Sequence, residues 1–357
     1  MSTFLYIILA VLMFGILIFI HELGHYLFAR LFKVSITEFS IGMGKSIISK
    51  TSKKTGIMYS LRLFPIGGYV SMVGENEESD DPNALSKKPA WQRFIIVAAG
   101  AAVNLIFGFL LMLWLVALSA SSGGIYTNTV YGYAENASYE ITSDQYGIMP
   151  GDTIIKINEK RTHNAYDVSY EIMRKGTEPL DITVERAGER VVLEDVVFPT
   201  EVSNGVEFGS MDFIIKSERA SFGKVILHTA QRSMLTVRMV WESLFDLISG
   251  RYGVEAVSGP VGITETIVDA TDTAVQTKDY SSVIYIAAVI CINLGVMNLL
   301  PIPALDGGRL FFILFEMIFR RPIPSKIENY IHAFGMYFLL LFMLLISLKD
   351  VWGLIFK

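Results

Sequence analysis

The sequence predicts an α-helical polytopic membrane protein with four transmembrane helices, a membrane-reentrant β-hairpin and an inserted extracytoplasmic β-rich domain. The chain of 357 residues is 52% hydrophobic and 18% charged, with a mean hydropathy of +0.45, whereas ordinary soluble domains carry about 25% charged residues. Four apolar stretches begin near Phe4, Phe94, Ser282 and Ile331. Each is long enough to cross a hydrocarbon core, which needs about 20 apolar residues. A long polar segment with strand and turn patterns separates the second stretch from the third.

These features divide the chain into seven segments. In order, they are a first transmembrane helix (1–31), a cytoplasmic link containing the reentrant hairpin (32–91, hairpin 57–72), a second transmembrane helix (92–118), the extracytoplasmic β-rich domain (119–214), a juxtamembrane amphipathic helix and loop (215–279), a third transmembrane helix ending in Leu-Asp-Gly-Gly (280–308), and a cytoplasmic link with the fourth transmembrane helix (309–357). The first stretch has no basic residue before it and no small-x-small cleavage site after it, so we expect a retained helix.

The distribution of charge predicts the orientation in the membrane. Basic residues are frequent in the link between the first two stretches, and the short link before the fourth holds Arg320, Arg321 and Lys326. Residues 119–279 instead contain 24 acidic and 14 basic residues. Because cytoplasmic loops are enriched in Lys and Arg, the basic links are predicted to be cytoplasmic. The acidic region and both termini are then predicted to lie outside.

Composition also excludes some classes of function. The net charge of −5 and the lack of a basic stripe outside the links argue against nucleic-acid binding. Cys291 is the only cysteine, so an intrachain disulfide is excluded, and we expect this residue to pack as a small apolar side chain.

Three polar segments have recognisable patterns. Met58–Leu63 and Tyr69–Met72 are predicted to be the two strands of a hairpin, with a turn at 65–68 that contains Gly67 and Gly68. This hairpin is apolar, and a strand at membrane depth must hide its backbone in protein or water, so we expect it to pack against the helices. Residues 220–249 alternate apolar and charged side chains, which predicts an amphipathic helix at the membrane interface.

The β-rich domain is predicted from residues 123–214. The pattern predicts a strand at 153–157, a short helix at 165–174, and strands at 180–185 and 191–197 around Ala187-Gly188-Glu189. The run Gly147 to Asp152, with Ile155 to Asn158, resembles the middle of a PDZ domain.

The run His21-Glu22-Leu23-Gly24-His25 carries the chemistry. Residues four apart in a helix stand on one face, so both imidazoles can bind one metal ion, and Glu22 is placed to take a proton from water. Zn²⁺ with three protein ligands lowers the pKa of bound water to about 7 and keeps one position open. An isolated HExxH run can arise by chance, but these ionisable groups end an apolar stretch, where such groups are costly and by default functional.

The best candidate for the third ligand is Asp306. The other histidines are His163 and His228, both predicted outside, and His332 in the fourth stretch. Asp306 follows two prolines that unwind the end of the third stretch and precedes two glycines that let backbone approach closely. Helices one and three both run inwards, so the two histidines and Asp306 are predicted to meet near the cytoplasmic side. The alternative is that Asp306 only pairs with Arg309.

Taken together, these motifs resemble the site-2 protease family of intramembrane metalloproteases, and within it the bacterial RseP/RasP type. The resemblance covers nearly the whole chain. It rests on HExxH, FSIGMG at 39–44, FPIGGYVSMVGE at 64–75, AAGAAVN at 98–104, SGPVGI at 258–263 and NLLPIPALDGG at 298–308. The chain departs from the family pattern at Lys45 and Ala101, where the family usually has proline.

The resemblance implies the roles of the site residues. His21, His25 and Asp306 would bind zinc and Glu22 would be the catalytic acid and base. Asn298 would help to hold the substrate backbone, and residues 57–72, with Gly67, Gly68, Tyr69 and Val70, would form a reentrant β-element beside the site. For Asn298 the alternative is a hydrogen bond between helices.

The predicted function is therefore zinc-dependent hydrolysis of peptide bonds within or next to the bilayer. The resemblance implies substrates such as membrane-tethered anti-sigma factors that are already trimmed outside, or signal-peptide remnants. Two alternatives remain: a catalytically silent scaffold that binds partners through its PDZ-like domain, and a metal transporter. An intact Glu22 argues against the first. The lack of further ionisable residues along the spans argues against the second.

Overall fold

The computed structural model describes residues 3–75, 77, 79–133, 141–203, 206–251, 253 and 257–355. The chain forms two compact units, Met1–Leu111 with Ser258–Lys357, and Met112–Val257. The first unit contains α1 (Thr3–Leu31), β1 (Ile36–Thr51), β2 (Met58–Met72), the start of α2 (Ala90–Ser122), α5 (Pro260–Thr277), α6 (Ser281–Met297), α7 (Asp306–Phe319) and α8 (Ser325–Ile355).

Helices of membrane-spanning character are present, as predicted. In the described part of the chain, three helices are long and apolar enough to cross a membrane: Phe4–Leu31, Ala90–Ser122 and Lys326–Gly353. The predicted third span is shorter, because α6 has only 17 residues and covers about 26 Å at about 1.5 Å per residue. Large apolar side chains on α8 are exposed, among them Phe334, Tyr337 and Leu341, as expected for a surface that faces lipid.

Two predicted boundaries of the first unit were wrong. The Leu-Asp-Gly-Gly motif does not end the third span but begins a separate helix, α7, within the predicted cytoplasmic link. Pro301 and Pro303 lack an amide hydrogen, so they cannot continue the helical hydrogen bonds of α6. The predicted loop before residue 279 contains α5, whose first turn is closed by Asp350 of α8. Its Oδ2 accepts hydrogen bonds from the amides of Gly259 (2.9 Å) and Gly262 (3.0 Å).

The predicted hairpin within residues 57–72 was also wrong. Its two halves do not pair with each other, because the first part of β1 lies between them. Phe39 is paired with Val70 on one side and with Tyr59 on the other. The second part of β1 pairs with the first half of β2, as in Ser49 with Ser60. The segment 68–72 is therefore an edge of this sheet.

In the described residues of the second unit, six strands form one sheet in the order β10-β3-β4-β6-β7, with β5 paired to β4. Its elements are β3 (Ile125–Tyr133), β4 (Thr153–Ile157), β5 (Lys160–Arg161), α3 (Ala165–Lys175), β6 (Leu180–Arg186), β7 (Glu189–Val196), β8 (Thr200–Ser203), β9 (Val206–Gly209), β10 (Phe213–Glu218) and α4 (Phe222–Ile248). Ala187 and Gly188 both have positive φ, at 53° and 87°, as the two-residue turn between β6 and β7 requires.

Helix α4 turns its charged side towards the domain, not towards solvent. Arg174 of α3 donates two hydrogen bonds to Asp246, at 2.8 and 2.7 Å, which raise the pKa of its guanidinium. Arg238 lies 2.9 Å from Glu171, a buried carboxyl whose pKa burial raises. The apolar side of α4 is exposed at Leu227, Met234, Trp241, Phe245 and Ile248.

Candidate metal centre

The two histidines of the HExxH run converge on the inner face of α1. They are four residues apart in the helix, so both rings project to one side. Nε2 of His21 lies 3.2 Å from Nε2 of His25, and both side chains are buried. Helix α1 runs without a break through this point, from Thr3 to Leu31.

Asp306 reaches the histidines from the first position of α7. The non-helical segment after α6 contains Ala304 with φ of 77°, a left-handed conformation that is rare for a residue with a Cβ. Beyond it, Asp306 Oδ2 lies 2.9 Å from His21 Nε2 and 3.1 Å from His25 Nε2. The donor atoms of these three residues all lie within 4.8 Å of one another.

This donor set fits zinc. Two imidazole nitrogens and one carboxylate oxygen make a common catalytic zinc set, and bonds of about 2.0–2.1 Å in a tetrahedron place ligand atoms about 3.3 Å apart. The observed separations of 2.9, 3.1 and 3.2 Å are close to that spacing. On the far side of its ring, His25 Nδ1 donates a hydrogen bond to the carbonyl of Ile96 at 2.9 Å. This leaves the lone pair of the neutral ring at Nε2, facing the centre.

Helix α2 packs against the centre through glycine. A Cβ on Gly100 would lie 2.8 Å from Cε1 of His21 and 2.7 Å from Cε1 of His25, too close for real atoms. A Cβ on Gly24 would lie 2.5 Å from the carbonyl oxygen of Ala99. Glycine at these two positions lets α1 and α2 touch where the metal ligands stand.

Glu22 lines a cavity of about 530 Å³ together with His25 and Asp306. His332 of α8 also lines this cavity, but its Nδ1 accepts a hydrogen bond from the amide of Ala304 at 3.0 Å. Asp306 is therefore the third group that the structure brings to the two histidines, while His332 supports the backbone just before it. Arg309, the alternative partner of Asp306, forms its ion pair with Glu75.

The predicted substrate-binding residues are distributed unevenly. Tyr69 and Val70 line the cavity, and a Cβ on Gly68 would lie 3.5 Å from Cγ of Glu22. Gly67 is buried next to Met43. Asn298 is buried at the C-terminal end of α6 and is not among the residues that line the cavity.

A polar cluster holds the cavity edge of the sheet. Glu38 of β1 accepts hydrogen bonds from Ser60, from Arg62 at 2.7 Å and from the hydroxyl of Tyr69 at 2.7 Å. Burial opposes ionisation of Glu38, but these hydrogen bonds outweigh it and hold the pKa of its carboxyl below the usual value. Glu38 thus links both halves of β2 to the strand between them.

Sequence reasoning quoted the run AAGAAVN at 98–104 but assigned no role to the residues that surround the ligands. Asn104, Gly100 and the Ile96 carbonyl all belong to α2 and touch the two histidines. The available signal was a polar residue in an apolar span, because such residues are rare there and usually face the protein interior. The Glu38 cluster had no comparable signal, since its members are far apart in the chain.

Comparison with known proteins places the chain among proteases. The model of peptidase family M50 matches residues 9–342. A Fusobacterium nucleatum protein is 35% identical, over 97% of this chain and 98% of its own. A Clostridium acetobutylicum protein is 33% identical over 98% of both chains, and a Campylobacter jejuni protein is 32% identical over 96% of this chain and 92% of its own. All three carry the name "putative zinc metalloprotease".

Proposed function

The chain belongs to peptidase family M50, the site-2 protease family, and is a membrane zinc metalloprotease; from this premise we propose that it hydrolyses peptide bonds within or next to the transmembrane segments of other membrane proteins. The observation that carries the proposal is the convergence of His21, His25 and Asp306 beside Glu22, in a cavity bordered by an edge strand. The helix that supplies three of these four residues is apolar and long enough to span a bilayer.

We assign the chemistry to four side chains. His21 and His25 would hold zinc through Nε2 and Asp306 would hold it through a carboxylate oxygen. Zinc in such a site supplies a Lewis acid and lowers the pKa of bound water to about 7. A carboxylate oxygen of Glu22 takes the proton from the attacking water and passes it to the nitrogen of the leaving amine. Asp306 starts a helix and is braced by the backbone that His332 supports, so it is held towards the histidines.

The edge segment 68–72 is proposed to hold the substrate backbone. A transmembrane helix satisfies its own backbone hydrogen bonds, so it must unwind before a peptide bond is exposed. An unwound segment can then add to an open strand edge and gain main-chain hydrogen bonds. Tyr69 and Val70 of this edge line the cavity that contains Glu22. Gly67, Gly68 and Asn298 would assist, by close approach and by a side-chain amide.

The substrates proposed are single-span membrane proteins in regulated intramembrane proteolysis, such as trimmed anti-sigma factors or signal-peptide remnants. We place the enzyme in the bacterial plasma membrane, in contact with the lipid bilayer and not with nucleic acid. Both termini and the β-rich domain are proposed to be extracytoplasmic, with the zinc site near the cytoplasmic side. The charge asymmetry of the links supports this orientation.

Residues 119–214, within the second unit, are proposed to be a PDZ-like domain that limits access of bulky substrates. Two features support the PDZ-like assignment: the sheet is built of antiparallel strands, and the short helix α3 lies between β5 and β6 in the chain. The domain supplies none of the four side chains assigned to the chemistry. The exposed apolar face of α4, the amphipathic helix that follows the domain, suits the membrane interface.

Cleavage by the purified full-length protein tests the proposed function. The protein is placed in lipid vesicles with a labelled single-span substrate, and the cut position is read by mass spectrometry. We expect a cut in or next to the apolar segment, loss of cleavage with a metal chelator, and recovery on adding zinc. An unfolded soluble protein serves as the control and should be cut far more slowly. Preference for the soluble protein, or indifference to the chelator, would contradict the proposal.

A further inference from the structure

Asn104 of α2 is a wholly buried polar side chain that the proposed chemistry does not use. Its Nδ2 lies 3.2 Å from Nδ1 of His21. Its Oδ1 is buried and has no hydrogen-bond partner among the described residues. Its backbone carbonyl accepts a hydrogen bond from Sγ of Cys291 at 3.2 Å. The side chain of Asn104 therefore lies next to Nδ1 of His21, the ring nitrogen that faces away from Asp306, where α2 contacts α6.

The tautomer of His21 decides whether it can bind metal. Its Nε2 faces Asp306 and His25, so Nε2 is the nitrogen on the metal side. A neutral imidazole that binds metal through Nε2 carries its proton on Nδ1, and that proton needs an acceptor. For His25 the acceptor is the Ile96 carbonyl. For His21, the side chain that the structure brings to Nδ1 is Asn104.

A carboxamide can serve either tautomer, because its oxygen accepts and its nitrogen donates. A half-turn about the last side-chain torsion exchanges the two atoms without moving the group. We propose that Asn104 is a positioning residue that selects the metal-binding tautomer of His21, with its amide turned so that Oδ1 accepts the hydrogen bond from Nδ1. This inference rests on the proposed role of His21 as a zinc ligand.

The competing role is the opposite hydrogen bond. If Nδ2 donates to Nδ1, the amide favours the tautomer with its proton on Nε2, which opposes metal binding. The substitution Asn104→Asp separates the two roles, because a carboxylate accepts and cannot donate. Asn104→Leu removes both the donor and the acceptor and keeps a similar side-chain volume. Cys291→Ala is the matched control, since it removes a contact to the backbone of Asn104 and leaves the amide in place.

The measurement is zinc affinity of the full-length protein in detergent, by competition with a chromogenic chelator, together with the absorption spectrum of the Co²⁺-loaded form. We expect Asn104→Leu to weaken zinc binding about 10–100-fold, as for other partners of metal-bound histidines. Asn104→Asp and Cys291→Ala should bind zinc about as tightly as the parent protein, because each keeps an acceptor next to Nδ1 of His21. If Asn104→Leu does not fold, Asn104→Ala takes its place.

Two results would overturn the proposal: Asn104→Asp losing affinity as severely as Asn104→Leu, or Asn104→Leu keeping full affinity. Failure of the underlying zinc site gives a different result, because His21→Ala would then retain zinc in the same assay.

Discussion

At the scale of single residues, the centre depends on which atoms face inward. The three donor atoms lie within 4.8 Å of one another, and the neighbouring Glu22 borders the same cavity without being one of the three. Ligand and base functions are therefore carried by different side chains, and substitutions should separate them.

Glu22→Gln is expected to lower cleavage about 10²–10⁴-fold, the usual contribution of a general acid–base group, while zinc stays bound. His21→Ala, His25→Ala and Asp306→Ala should lose both zinc and activity, because three protein ligands define such a site. Metal analysis and cleavage assays on purified variants check this. Full zinc content and activity in Asp306→Ala would show that the third ligand is another residue.

Gly100→Ala is expected to weaken zinc binding about 10–100-fold, the range seen when the surroundings of metal ligands change. The new Cβ would lie within 2.8 Å of Cε1 of both His21 and His25. Gly123→Ala, just beyond the same helix, meets open space and is the control. Equal zinc affinity in the two variants would contradict the proposed tight packing around the ligands.

At the scale of elements, the small sheet presents an edge to the cavity. Segment 68–72 pairs on one side with the first part of β1, and the Glu38 cluster holds both halves of β2 to that strand. One side of segment 68–72 is thus bonded to β1, and Tyr69 and Val70 of the same segment line the cavity.

Proline placed in turn at positions 69 to 72 is expected to reduce cleavage and leave zinc content unchanged. Each proline removes a backbone donor, and at the positions whose N–H faces away from β1 this donor is one that a substrate strand would use. A hydrogen bond of about 1 kcal/mol corresponds to a loss of roughly fivefold in kcat/KM, and strongly helical substrates should suffer most. Ser49→Pro, at the opposite edge of the sheet, is the control. Unchanged turnover throughout the scan would exclude β-addition at this edge.

Glu38→Gln is expected to lower thermal stability more at neutral pH than in acid. The pKa of Glu38 is held below its usual value by hydrogen bonds, so the ionised form stabilises the fold above its unfolded pKa of about 4.3. That contribution is lost as the pH falls through the lower folded pKa. Thermal unfolding of both proteins at pH 7 and pH 3 checks the sign. A Tm difference that widens in acid would contradict this account.

At the scale of the whole molecule, the chemistry and the inserted domain lie in different compact units. All four proposed chemical residues belong to the first unit, and α4 is joined to α3 of the second by buried ion pairs. A deletion that tests the inserted domain must therefore remove α4 too, or its charged side is left uncovered.

Replacing residues 123–257 with a short flexible linker is expected to leave cleavage of pre-trimmed substrates intact. Untrimmed substrates with folded outer domains should then be cut more readily, because the proposed barrier is steric. The ratio of cleavage rates for trimmed and untrimmed forms of one substrate, with both enzymes, measures this. An unchanged ratio in an active, zinc-loaded deletion protein would mean that the domain stabilises the fold or docks a partner.

Local pattern was enough for several features of this protein. Helix periodicity and turn preferences depend on residues that are close together in the chain. Short runs of sequence were therefore enough to predict the shared helix face of His21 and His25, the break in the helix before Asp306 and the turn at Ala187-Gly188. The sequence by itself therefore determined the candidate ligand set, the membrane-spanning character and the strands β4, β6 and β7 of the inserted domain.

Only the tertiary structure decided which distant segments meet. The first part of β1 lies between the two halves of β2, α7 forms a separate helix, and the charges of α4 face α3. Asn104 reaches His21 across 83 positions of sequence. A period of two or 3.6 residues states which face of an element is buried but not what covers it. Pairing between strands and contact between helices depend on packing of residues remote in the chain, so these features became visible only in the folded protein.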